Sequence, residues 1–476
     1  HHASAIQTQA SVKLPKNWAQ ASALRVESQS ADQLNFKPVS LEALADSPMF
    51  AGLHARRIEL DPPGTRSPVT LTVFADEAEQ LQATEPQIEA HRKLVQQADK
   101  LYGSRHFAHY DFLLATSDRL TGIGLEHHQS SENAVKGGYF KDWAKARGRR
   151  GLLPHEYTHS WNGKFRRPAD LWVPEYNVPM QDSLLWVYEG QTNYWGDVLA
   201  VRAGLVSVAQ MRDAWAEVAA AYSYRAGRIW RNLQDTTNEP QLARGRPSAD
   251  WRNWQRGADY YPESGLVWLD VDTLIREMSG GAKSLDDFAR AFFSVENGRI
   301  KPLTYTFEDV VAALNTVQPH DWRAFLRQRL DSNAPEAPLD GLKRAGWQLT
   351  WAETPSEFAN VDSDAARSND LSYSLGLSLK ADGRIDNVMW GGPAFDAGLS
   401  SAASVIAVNG KAYKRERLIA AVSANKQGKA PIELLIKDGE LYRTVRIDYR
   451  GGLRYPRLTR IEGSVERLEA GIWAPR

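Results

Sequence analysis

The 476-residue sequence has no cysteine. That excludes disulfides, thiolate metal sites and cysteine nucleophiles, and it leaves the redox compartment open. An excess of charge of either sign is missing too, since 58 basic residues face 58 acidic ones. Nothing in that balance points to a nucleic acid or a membrane surface as partner. No apolar run approaches the length of a membrane span. The chain starts at His1-His2 instead of Met, as a tag remnant or a processed end would. The periplasm or the outside of the cell is the expected home, ahead of the cytoplasm. Long internal repeats and low-complexity tracts are also absent.

The length is enough for two to four domains, each able to bury a core. Sixteen Trp and seventeen Tyr suit either aromatic-walled clefts or a large aromatic core. Residues 1 to about 75 read as strands and look like the end of a β domain. Arg56 to Leu60 and Val69 to Val73 are β-rich runs around the turn cluster Asp61-Pro62-Pro63-Gly64. A helix fits Glu85 to Tyr102, and a strand fits Tyr110 to Ala115, ahead of a glycine-rich loop from Thr121 to His127. Further helices are expected over Val208 to Asn232, Leu266 to Met278, after a Ser284 cap, and over Phe307 to Leu314 and Asp321 to Leu330. Asn232 to Gly257 reads as an irregular polar excursion. Composition shifts near Ser332 and across the polar run Ser356 to Asn369. Beyond it, short strands and one helix from Glu416 to Ser423 suggest a β-rich domain at about 368–450, with a tail to Arg476.

The chemistry gathers at His155-Glu156-Tyr157-Thr158-His159. On a helix, residues i and i+4 share a face, so the two imidazoles can address one ion. Glu156, between them, is placed to take a proton from a water on that ion. Glu189, on a later helix, completes three protein ligands with a position left open, the pattern of a catalytic rather than a structural zinc. Amide hydrolysis also needs a donor for the developing oxyanion. Tyr260 and Tyr261, just before a helix, are candidates, or else packing residues. Asn193, one turn after Glu189, is a candidate to hold the outer nitrogen of a metal histidine. Glu126, in the glycine-rich loop, is either a surface carboxylate or a site for a substrate α-amine.

The runs HEYTHSWNGKFRRP, His155 to Pro168, and SLLWVYEGQTNYWGDVLAVRAGL, Ser183 to Leu205, closely resemble the M61 glycyl aminopeptidase family, zinc peptidases of the thermolysin-like type with a glutamate third ligand. Gly124-Leu125-Glu126-His127 is similar to the family's Gly-Leu-Glu-His loop, which implies substrate-binding roles for Gly124, Glu126 and His127. Tyr260-Tyr261 with the following helix resembles the family's Tyr-Tyr-x-Lys-Gly segment and makes Tyr261 the expected oxyanion donor. Leu375-Gly376-Leu377, Gly392 to Leu399 and Val405 to Gly410 look like a PDZ domain, whose groove would take a C-terminal peptide by strand addition.

The implied fold is α+β and multidomain: an N-terminal β segment over 1–75, a mostly helical thermolysin-like domain over 76–350, a PDZ-like domain over 368–450 and a tail over 451–476. The implied activity is zinc-dependent removal of a small N-terminal residue, glycine or alanine, from peptides. A zinc endopeptidase and a catalytically idle PDZ scaffold are the alternatives. The sequence departs from the family pattern in three places. Glu263-Ser264, after Pro262, stands where Lys-Gly is usual. Ala402-Ala403 stands where Gly-Asp is usual. The β segment is short, so the chain is expected to be truncated or processed at its start.

Overall fold

Two nearly unbroken apolar runs, Val69–Ala75 and Tyr110–Thr116, are buried along almost their whole length, as strands covered on both faces must be. The computed structural model describes residues 2–173, 175, 177–242, 251–357, 369–428 and 430–476. In it the two runs pair in parallel. The crossover between them is the helix Glu85–Tyr102, opened by a Thr84–Gln87 capping box and closed by Gly103 at φ 65°. The five-stranded sheet runs in the order Gly124–Glu126, Ser130–Val135, Tyr110–Thr116, Val69–Ala75, His54–Glu59. Its three inner strands are parallel and both edge strands antiparallel. The expected glycine-rich loop is therefore partly a strand: Gly124–Glu126 pairs with Ser131–Asn133, which puts Glu126 on a sheet edge.

The chain divides into two compact units. The first comprises His1–Val208, Ser264–Leu326 and Glu466–Arg476, and the second Ala209–Glu263 and Arg327–Val465. In the first, the segment before His54 forms small two- and three-stranded sheets. The aromatic count belongs largely to packing. Trp161, Trp186, Trp195, Trp268, Trp322 and Trp473 are all almost wholly buried, and Tyr102 stacks on Trp161 at 4.4 Å between ring centroids.

In the second unit, Trp347–Ala352 pairs antiparallel with Tyr455–Arg460. Leu377–Leu379 lies between Asn369–Leu371 and Ile385–Val388. A four-stranded sheet of Lys411–Ala412, Ser404–Val408, Ile432–Asp438 and Leu441–Ile447 accompanies the helix Arg415–Asn425. Leu371, Leu377, Val405, Leu418, Leu434 and Ile436 belong to one apolar core. Both edges of Leu377–Leu379 are thus paired within the chain, so a peptide added there would have to displace Asn369–Leu371. Ala402 sits at φ 70°. The turn for which glycine is usual keeps its left-handed geometry and places a Cβ in it.

Several helices differ from their expected bounds. The expected Val208–Asn232 helix ends at Ser223. The expected irregular stretch contains the short helices Leu233–Thr236, Glu239–Leu242 and Arg252–Gln255, while its residues 243–250 lie outside the described set, as does 358–368 of the polar run after Ser356. The helix expected at Leu266 begins at Pro262, a good first-turn residue.

Candidate metal centre

The helix that carries His155 is short, Leu152–Thr158, with His159 as its closing residue at φ −62° and ψ −22°. These angles are still helical, so the i, i+4 relation holds and the two Nε2 atoms face each other at 3.2 Å. Pro154 is its third residue, within the first turn. Glu189 is the joint between Leu185–Tyr188 and Gly190–Arg202. The second of these helices approaches the His155 helix at Gly196, where a Cβ would stand 3.1 Å from His155 Cα. A Cβ there would need the two helices to part by a few tenths of an ångström.

Glu189 Oε2 lies 3.4 Å from His155 Nε2 and 3.3 Å from His159 Nε2, buried and without a well-formed hydrogen bond. One ligand atom from each of the three residues falls within 4.8 Å of the others. Three groups able to donate electron pairs that converge on one point fit a cation. His159 Nδ1 meets the Asn162 carbonyl oxygen at 2.9 Å. Donation to that oxygen fixes the tautomer whose Nε2 lone pair points inward. Asn162 is itself held, its side-chain amide donating to Val187 O at 2.9 Å and to Thr192 Oγ1 at 3.0 Å. Asn193, expected in this positioning role for a histidine, instead has its amide over Gly265. The residue that does the work is three positions after His159 and contributes its backbone, which side-chain spacing does not reveal.

Glu156 is 4 % exposed. Burial pushes its carboxyl up to about 8; His155 opposes the rise and the Glu126 and Glu189 charges add to it. Gly124 on the edge strand lies directly against it: a Cβ there would be 2.7 Å from Glu156 Oε1. Glu126, half-buried, accepts a hydrogen bond of 2.5 Å from the Tyr188 hydroxyl, and it falls with Glu156 and His159 in a second group of converging ligand atoms. Burial works against its ionised form, yet His159, Lys164 and Tyr188 hold its carboxyl below the usual range. Tyr188 is a site residue that spacing did not single out, although it stands next to Glu189 in the sequence. His127 reaches Asp46 at 3.2 Å and Glu132 at 3.1 Å; it braces the loop on one side.

Tyr260 and Tyr261 fall in the second unit, in the turn before the helix Pro262–Met278. Tyr260 is buried and Tyr261 half-buried, with ring centroids 4.8 Å apart. Glu263, which stands where the M61 pattern has lysine, is fully buried and ion-paired to both Arg228 and Arg256. Arg256 also holds Asp259 at 2.7 Å. The substitution is thus neutralised within the unit.

The M61 glycyl aminopeptidase family model matches residues 148–267, the stretch that contributes both histidines, Glu156, Glu189 and the tyrosine pair. The chain is a metallopeptidase. Among solved structures, an aminopeptidase N family protein from Idiomarina loihiensis is similar in fold, with a TM-score of 0.73 at 17% identity, over 98% of this chain and 79% of that one. An M1 zinc metallopeptidase from Deinococcus radiodurans, in a mutant form bound to Tyr-ser-ala substrate, aligns with a TM-score of 0.45 at 16% identity, over 70% of this chain and 65% of that one. No curated protein matches the sequence.

Proposed function

We propose that the protein is a zinc aminopeptidase that removes a small residue, glycine or alanine, from the N-terminus of peptides. His155, His159 and Glu189 are the residues that would hold the zinc. A zinc ion there supplies a water acidified to a pKa of about 7 and a Lewis acid for the scissile carbonyl. Glu156, within the same cluster, accepts the proton from the attacking water and delivers it to the leaving amine. Gly124 lets the edge strand pass close enough to Glu156 for a substrate backbone to lie along it. Tyr261 is the group proposed to donate to the oxyanion, on the strength of the Tyr-Tyr match, with Tyr260 as second choice.

The observation that carries the aminopeptidase reading is charge. Glu126, Glu156 and Glu189 bring three carboxylates together around two imidazoles. A divalent zinc would offset the Glu189 charge and favour the ionised form of Glu156, whose carboxyl burial pushes up to about 8. The ammonium of a peptide N-terminus, held by Glu126, would offset that carboxylate and set the register so that the first peptide bond lies over the zinc. Metal analysis, combined with hydrolysis of glycyl or alanyl peptides in free and N-acetylated form, tests this. Zinc at one equivalent and strong preference for the free amine are expected; equal cleavage of both forms would make the protein an endopeptidase. The region from about 368 to 450 is proposed to be PDZ-like, with its peptide groove closed by Asn369–Leu371 until that strand is displaced.

A further inference from the structure

The second unit has a cavity of about 450 Å³, within the range of small-molecule sites, about 300–1,000 Å³. Its walls come from two stretches far apart in the chain. One is the end of the helix Val208–Ser223 with Tyr224, Arg225 and Asn253. The other is the turn 372–376 and the loop 389–393, with Tyr449 and Arg454. Neither the strand Leu377–Leu379 nor the helix Arg415–Asn425 contributes a residue. The cavity is therefore not the strand-addition groove of the PDZ-like reading.

The walls are aromatic and held in place. Tyr224 and Tyr373 lie 5.4 Å apart between ring centroids, and Trp351 packs against them at 5.9 and 5.2 Å. Trp390 stacks on Trp254 at 4.8 Å. Asn253 fixes the Trp390 backbone: its amide nitrogen donates to Trp390 O at 3.1 Å, and its amide oxygen accepts from Trp390 N at 2.9 Å. The turn and the loop meet through glycine, since a Cβ on Gly376 would stand 3.1 Å from Gly392 Cα. Flat apolar surfaces set in this way suit a planar ring.

Charge selects the rest of the ligand. Two arginines line the cavity and no carboxylate does. Arg225 is committed, its Nη1 donating to Arg252 O at 3.1 Å and its Nε facing Asp259 at 3.5 Å. Arg454 is not. Its backbone nitrogen donates to Ser374 Oγ at 3.0 Å, and its guanidinium lies over the Trp351 ring, 4.4 Å from the centroid. That guanidinium has no ion pair or hydrogen bond among the described residues. Stacking orients the fork and leaves its N–H groups unused. A carboxylate would take them in a pair and balance the one open charge, whereas a phosphate dianion would bring an excess.

We propose that this cavity binds a small aromatic carboxylic acid, with its ring against Trp390 and Tyr224 and its carboxylate on the Arg454 guanidinium. The site is independent of the peptidase chemistry. Because its walls come from two stretches of one unit, a bound acid ties them together and stabilises that unit.

Titration calorimetry on the intact protein tests the site, with indole-3-acetate, its neutral amide, acetate and inorganic phosphate as probes. The aromatic acid is expected to bind with a Kd of about 1 mM or lower. The amide, acetate and phosphate are each expected to bind about tenfold or more weakly, since each lacks the charge, the ring or both the ring and the single charge. Equal binding of acid and amide, or no binding of the acid at about 10 mM, overturns the proposal with the unaltered protein alone. Arg454→Met keeps an unbranched stem against Trp351 without the charge. It is expected to lower the acid to the affinity of the amide, and to leave the amide within about threefold of its starting value. Arg454→Gln is the second neutral variant, should the first not fold. An acid affinity unchanged in either variant places the binding elsewhere and overturns the assignment. Tighter binding of N-acetylated Gly-Gly-Trp than of the free acid overturns the restriction to small acids.

Discussion

Each compact unit has a cluster of carboxylates withdrawn from water, and the two are built on opposite rules. In the second unit, Glu263 meets Arg228 and Arg256, and Asp259 meets Arg256 and Arg225. Every negative charge has a guanidinium. In the first, Glu126, Glu156 and Glu189 gather around two imidazoles, while Lys164 is committed to Asp46. A cluster neutralised inside the chain completes its task on folding, whereas one left with excess charge awaits something from outside. The contrast is a stronger pointer to function than burial, which both clusters share.

The same substitution in each cluster should therefore have opposite consequences. Glu156→Gln is expected to lower kcat about 10²–10⁴-fold with zinc retained, because it removes the proton acceptor. Its urea midpoint should not fall, since burial already disfavours the charged form of Glu156 and the amide is a close isostere of the neutral acid; a marked loss of stability would show that the first cluster too is structural. Glu263→Gln is expected to cost about 3–5 kcal/mol in urea unfolding, because it strands buried arginines. Zinc content of the folded fraction should stay normal, and loss of metal together with stability would erase the distinction. Tyr261→Phe sharpens the comparison by asking whether the neutralised cluster supports a chemical group two residues before Glu263. A fall in kcat of about 10²-fold with little change in KM is expected. The smallest effect belongs to a site outside both clusters. Ala402→Gly should raise stability by about 1 kcal/mol, read from the urea midpoint, by relieving the left-handed Cβ at φ 70°.

Much of this was legible from periodicity and spacing. The helix Glu85–Tyr102 has the bounds its pattern suggested, since a capping residue and a glycine mark its ends. The approach of His155 to His159 was legible because i, i+4 spacing is a fact of helix geometry. What escaped were contacts made by backbone or across long sequence distances. Asn162 orients His159 through its carbonyl oxygen, and a carbonyl has no residue signature. Gly124 and Gly196 matter through the atoms that a Cβ would meet, and those neighbours are set only by the assembled fold. Asp46 and Lys164 are 118 positions apart; nothing local joins them. The strand Gly124–Glu126 was hidden because glycine is a poor strand former and the pairing with Ser131–Asn133 overrides that preference.

The last residues of the chain go back to the first unit. Arg202 Nε donates to Ile472 O at 2.9 Å, Trp473 is buried, and Arg476 Nε donates to Asp286 at 2.7 Å. Residues 327–465 are consequently tethered at both ends, like a bracketed clause in a sentence. Cutting the gene short near Pro355 would take Trp473 and the Arg476–Asp286 pair away with the β-rich region, so a failed truncation would not show that this region serves the zinc. Clean removal calls for an internal excision that rejoins Leu326 to Glu466 through a linker.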